Sequence, residues 1–216
     1  MHMVTMYTLL TKYHEVLNVE SVLFNIPSYQ TMSSGYDGGT FLMKETLNTY
    51  YPDCKYVKLH TGDRFTLQGV KFDVIFTHED AVNSEGKTTI SDFNSTSTVL
   101  KVTIDGKTLM LLADATEAAG SYMVKMYATT LRSDCLQTGH HGYNDLKTLY
   151  KAIAAPLAFF SNSEENAGAN SGNAGKFQGV LDAADNVQVL FSDPNTLKIT
   201  VEDGKFVVEN VPSYRS

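Results

Sequence analysis

Apolar residues recur along this chain in two rhythms, one suited to helices and one to strands, and the two alternate from end to end. "MHMVTMYTLLTKYHEVLN" places Met3, Met6, Tyr7, Leu10, Tyr13 and Leu17 on one helical face, predicting a helix that runs to about Asn18. "VESVLFNIP" is an apolar run stopped by Pro27 and reads as a buried strand. A polar, glycine-rich stretch, "SYQTMSSGYDGG", separates it from a second helix, "TFLMKETLNTYYP", with Thr40 as its candidate N-cap and Pro52 beyond its end. "KYVKL", "RFTLQG" and "VKFDVIFT" are three short strands divided by turn residues. The polar run "HEDAVNSEGKTTISDFNST" follows, a loop of a length that often serves function.

The second half keeps the alternation. In "STVLKVTIDGKTLMLLADA" two alternating runs flank Asp105-Gly106, a strong hairpin signal, and the second run ends at Asp114. "TEAAGSYMVKMYA" is helical, with Thr116 or Asp114 near its N-cap. "SDCLQTG" is a short buried strand that stops at two adjacent histidines. Helix "NDLKTLYKAIA", strand "PLAFFSN", loop "SEENAGANSGNAG", helix "KFQGVLDAA" and strands "VQVLF", "LKITVE" and "KFVVENV" complete the chain. No internal repeat interrupts the order. Strands and helices alternating with hairpins between them predict a layered α/β fold, taken as a single domain over residues 1–216.

Composition narrows the function classes. With 43% hydrophobic and 19% charged residues the chain is ordinary for a globular protein. A net charge of −7 and a pI near 5.3 argue against a bare nucleic-acid binder, which is normally basic. No apolar run reaches the ~18–20 residues of a membrane span. Cys54 and Cys135 are the only cysteines; one disulfide is arithmetically possible, and free buried thiols are the expectation. Asn94-Ser95-Thr96 fits a glycosylation sequon that matters only in a eukaryotic secretory setting. No signal-peptide pattern is present, but the chain opens inside an amphipathic helix with no strand before it.

Candidate chemistry gathers at two strand ends. Asp114 closes "LLAD", and His140 and His141 close "QTGHHG". One helix fits between them and would return the chain to the same sheet edge. A carboxylate can bridge two metals and a neutral imidazole offers one directional lone pair, so the pair suits a zinc-type or manganese-type site. An aspartate before a helix is equally an N-cap, and a histidine in a turn is often simply solvated. Spacing alone leaves both readings open.

Those segments carry a resemblance. "FNSTSTVLKVTIDGKTLMLLADATEAA" followed by "SDCLQTGHHGYND" resembles the later part of metallo-β-lactamase-fold hydrolases. The branch it looks like is the hydrolase domain of bacterial competence (DNA-uptake) proteins and the choline-phosphate esterases, where a strand ending "LTGD" precedes a helix and a strand ending "HHG". "KLHTGDRFTLQGVKFDVIFT" also looks like that branch, and the resemblance covers about residues 18–210. It implies a four-layer αββα sandwich with one or two metal ions along the sheet edges. It implies that Asp114 is the bridging carboxylate and His140 a metal ligand, these two being the catalytic and metal residues. His141 and Tyr143 would be substrate contacts or stand behind the ligands. The implied reaction is attack of a metal-bound hydroxide on a phosphodiester, small or nucleic acid, or on another ester.

The departures matter as much. The family's HxHxDH signature, which supplies most ligands, is absent; His2, His14, His60 and His78 are isolated. Ala113 stands where the family usually has glycine, and "NAGANSGN" replaces a later "GHP". The chain therefore resembles a metallo-β-lactamase-type domain without its first strands and main metal loop. The expectation is weak or absent metal binding and impaired catalysis, or alternatively a non-catalytic remnant acting as a scaffold. Exposed sheet edges would then favour a homo-oligomer. Among the other histidines, His78 reads as exposed loop-end polarity, His60 as structural, and His14 as lying on the polar side of the first helix. Tyr29, Tyr36 and Tyr143 could stack on a base or aryl group, though packing accounts for tyrosines as well.

Overall fold

The computed structural model describes residues 2–27, 38–80, 93–194 and 196–211. Tyr29 and Tyr36 lie outside the described residues, as do positions 81–92 of the long polar loop. The chain divides into two compact units, residues 1–59 and 60–216.

In the first unit, helix α1 (His2–Lys12) packs on helix α2 (Gly38–Tyr50), and strand β1 (Ser21–Phe24) pairs in parallel with β2 (Lys55–Lys58). Leu10, Leu47, Tyr51 and Cys54 form its small core. The Tyr51 hydroxyl donates to the Leu10 carbonyl at 3.1 Å, which ties α1 to the end of α2. Three details differ from the sequence expectations. The first helix stops at Lys12, before Asn18, and the turn after it is largely exposed, Val16 at 79%. His14 therefore sits in the turn after the helix, its ring against Tyr50 and its Nδ1 against the Thr11 carbonyl. The second helix begins at Gly38, so Thr40 lies inside it and does not cap it. Strand β1 is only half-buried, and among the described residues its sheet has two strands.

The second unit is built on a seven-stranded mixed sheet in the order β3-β4-β5-β6-β7-β8-β9. Strands β3 (Arg64–Leu67), β4 (Val70–Phe76), β5 (Val99–Ile104) and β6 (Lys107–Leu111) pair antiparallel with one another in chain order, β3–β4 and β5–β6 as hairpins. The β5–β6 turn is Asp105-Gly106, both at positive φ (47° and 77°), as a tight right-twisted hairpin requires. Strands β7 (Cys135–Gln137), β8 (Leu157–Ser163) and β9 (Gln188–Asp193) continue in parallel from β6. Parallel neighbours need crossovers, and helices supply them: α3 (Glu117–Tyr127), α4 (Lys147–Ile153), then α5 (Glu164–Ala167) and α6 (Ala174–Leu181). Thr116 caps α3 by accepting from the Ala119 N–H. The short α5, capped by Ser163, occupies the start of a stretch that reads as loop in sequence.

Alternation along the strands sorts the two faces. Met110, Leu136, Ala158 and Phe160 point to the helices and join Met123, Leu131, Leu149 and Ile153 in the main core. Leu109, Cys135 and Phe159 point the other way. There they line, with Ile199, Val201 and Phe206 of the hairpin β10 (Thr196–Glu202)–β11 (Lys205–Val211), a cavity of about 350 Å3. The mixed α/β class expected from the sequence is the class observed. Both cysteines are free and buried. Among the described residues no helix is long and apolar enough to cross a membrane.

Candidate functional site

In an open α/β sheet, ligands bind outside the carboxyl ends of parallel strands, because helix starts and polar loop residues gather there. Here three such ends meet. Register aligns Leu111, Gln137 and Phe159 across β6, β7 and β8. Asp114 lies just past the first, His140 and His141 just past the second, and Ser161 and Asn162 at the end of the third.

The strand ends are tied together by side chains acting on backbone. Gln137 Oε1 accepts the N–H groups of Leu112 and Ala113, both at 3.0 Å. The His140 N–H donates to the Ala113 carbonyl at 2.8 Å. The Asp114 N–H donates to Ser97 Oγ at 3.1 Å, which anchors the aspartate to the polar segment before β5. Asn144 Nδ2 donates to the Ala115 carbonyl at 2.8 Å and to that of Asp114 at 3.4 Å. Asn162 Nδ2 donates to the His141 carbonyl at 3.1 Å.

The histidine turn itself is conformationally unusual. His140, His141 and Gly142 all have positive φ (48°, 57° and 88°), and Ala113 opposite them has φ 49°. Each non-glycine residue there costs on the order of 1 kcal/mol, and such strain persists where surrounding packing enforces it. The enforcing contacts are visible. A Cβ on Gly139 would stand 2.4 Å from Leu146 Cδ1, and one on Gly142 2.5 Å from Phe160 Cε1. The turn is thus pressed onto the core at both ends. The Gly139 N–H donates to the hydroxyl of the fully buried Tyr150, whose ionisation burial strongly disfavours. Ala113 also explains itself: it occupies a left-handed position that glycine would take without penalty.

Within this frame the two imidazoles separate. His140 Nδ1 meets Asn144 Oδ1 at 3.2 Å, within the same turn. His141 Nδ1 meets Ser161 Oγ at 2.8 Å and the Ser161 carbonyl at 3.1 Å, on the next strand. His141 Nε2 then faces Asp114 Oδ1 across 3.9 Å, with both side chains about three-quarters buried. That separation is too long for a direct hydrogen bond. Tyr143 stands at the rim, 36% exposed, edge-on to His140 with ring centroids 5.9 Å apart and 6.4 Å from His141. The structure therefore brings Asp114, His140, His141 and Tyr143 to one place, and it is the ring of His141 that faces the carboxylate.

A carboxylate oxygen and an imidazole nitrogen suit zinc or manganese as donors. Two donors fit a cation completed by water, not a closed structural site. Among the described residues no group of three or more His, Cys, Asp or Glu side chains is placed to hold a metal. The remaining histidines stand elsewhere. His60 donates its N–H to Asp63 and pairs its ring with Glu79 at 2.7 Å, a structural role. His78 is 6% exposed, which corrects the expectation of loop-end exposure. It enters a short 3-10 turn (His78–Asp80) closed by Asp80, which accepts from the Thr61 hydroxyl and the Thr77 N–H.

Sequence reasoning missed Gln137, Asn144, Ser161 and Asn162. Their one signal is position: each is an amide or hydroxyl at or just beyond the end of a parallel strand.

No family model matches the chain, and no curated protein matches it. Among solved structures the chain is similar to the metallo-beta-lactamase fold protein YhfI from Bacillus subtilis. The identity is 10%, the TM-score 0.45, and the alignment covers 87% of this chain and 69% of that one.

Proposed function

We propose that this chain is a metallo-β-lactamase-type protein whose site takes a divalent cation, zinc or manganese, between Asp114 and His141, with His140 as the adjacent imidazole. The observation that supports this reading is the 3.9 Å approach of His141 Nε2 to Asp114 Oδ1 at the carboxyl ends of adjoining strands. A bound cation would supply Lewis acidity and a hydroxide nucleophile for a phosphodiester or another ester. The chain's own residues orient that centre: Ser97 fixes the Asp114 backbone, Gln137 locks the strand end before it, and Tyr143 offers a face for an aryl group or base. Catalytic zinc normally has three protein ligands. Two predict weak binding and slow or absent turnover, which also favours a second reading, a non-catalytic scaffold that keeps the fold.

Zinc titration against a chromophoric chelator tests the proposal. We expect about one weakly held ion per chain, lost in Asp114→Asn and in His141→Ala and retained in His140→Ala. Unchanged affinity in both of the first two variants would overturn it. Hydrolysis of bis(p-nitrophenyl) phosphate separates the two readings. Zinc-dependent turnover that disappears in Asp114→Asn identifies an enzyme, and background rates throughout identify the scaffold.

A further inference from the structure

The Nδ1 atom of each of the two adjacent histidines faces an oxygen that can only accept. Asn144 Nδ2 donates to two carbonyl oxygens, those of Ala115 and Asp114. A flipped amide would turn its oxygen onto those acceptors, so Oδ1 is the atom that meets His140 Nδ1. An amide oxygen only accepts. The proton of His140 therefore sits on Nδ1. For His141 the same logic runs through Ser161: its backbone carbonyl, 3.1 Å from His141 Nδ1, also only accepts, and the hydroxyl oxygen at 2.8 Å shares the same N–H. The proton of His141 is again on Nδ1.

We infer that Asn144 and Ser161 are positioning residues that hold both imidazoles in the Nδ1-protonated tautomer, leaving each Nε2 as a lone-pair donor. For His141 that lone pair is aimed at Asp114. On the metal reading, an imidazole lone pair and a carboxylate oxygen 3.9 Å apart present two donor atoms to one cation. The tautomer of a metal-binding histidine is ordinarily set by what its other nitrogen contacts. Here that control is divided between two elements: Asn144 acts from within the turn on one ring, and Ser161 acts from β8 on the other. The inference about cation binding rests on the metal reading above. The tautomer assignment stands on hydrogen bonding alone.

Long-range 1H–15N correlation spectra of the metal-free full chain, recorded at about pH 8 where ordinary imidazoles are neutral, read each tautomer directly. Both histidines should show a protonated Nδ1 and a bare Nε2. Asn144→Ala should convert His140 to a tautomer mixture and leave His141 unchanged. Ser161→Ala should do the converse, less completely because the backbone carbonyl remains, and Ser161→Thr should restore the pattern. Zinc affinity should fall about 10-fold in Ser161→Ala and recover in Ser161→Thr. A protonated Nε2 on His141 in the unsubstituted chain would overturn the inference. So would spectra unchanged in both alanine variants. If the tautomers are as stated but the chain takes up no zinc, the metal reading fails and the positioning role stands.

Discussion

Gly142→Ala is the substitution that asks most of the histidine turn. Gly142 has φ +88°, and an added Cβ would lie 2.5 Å from Phe160 Cε1 and 2.6 Å from Cδ1. Phe160 cannot yield freely, because it is fully buried and its ring packs on those of Phe191 and Phe177 at 5.1 and 5.8 Å. Two costs add. The left-handed backbone costs alanine about 1 kcal/mol, and overpacking a filled core costs about 1–3 kcal/mol more. The expected loss is about 2–4 kcal/mol, a large part of the roughly 5–15 kcal/mol typical of a folded domain. Gly106→Ala is the control: its φ is +77° but nothing lies within 4 Å of the added Cβ, so only the backbone cost applies. Urea unfolding of both variants gives the difference directly when the m-value is unchanged. Gly142 directly follows His141 and Phe160 directly precedes Ser161, so forcing them apart should also disturb the His141–Ser161 hydrogen bond and, with it, the zinc uptake proposed above. If the two variants agree within about 0.5 kcal/mol, the spread of ordinary surface substitutions, the close-approach reasoning is refuted.

Two further outcomes test the second unit. Burial pushes the Cys135 thiol up to about 12, and the side chain is 1% exposed, so a disulfide reagent at pH 8 should leave it unmodified until the chain unfolds; rapid labelling of the native protein would contradict the burial. Partial burial raises Asp134, but the Thr108 backbone N–H, the Thr108 hydroxyl and the Lys107 ammonium outweigh it and leave the carboxyl below its ordinary value. The stabilisation it provides is thus present above about pH 4 and fades as pH falls through the lowered folded value. Urea stability should drop between pH 5 and pH 3 by more in the unsubstituted chain than in Asp134→Asn, and equal drops would remove Asp134 as the cause.

The parts of this fold that are legible in the sequence are those decided locally. Asp105-Gly106 between two alternating runs specifies a hairpin by itself, and Thr116 before an apolar helical pattern specifies where α3 begins. The end of α1 is not legible in the same way: its apolar periodicity continues past Lys12, and the helix does not. The site divides in the same way. Asp114, His140 and His141 stand out because few side chains bind metals and these three close apolar strands. Ser161 does not stand out, because a serine at a strand end is common, and only the parallel pairing of β7 with β8 brings it to a histidine 20 positions away. The distinction between the two histidines is less local still. They are the same residue in adjacent positions with similar backbone angles, and no pattern in the chain ranks one above the other. What separates them is that one ring finds its partner inside its own turn and the other finds it on the next strand. The place facing the carboxylate is therefore conferred by tertiary pairing on one of two equivalent residues, so exchanging their partners, and not the histidines, should exchange their roles.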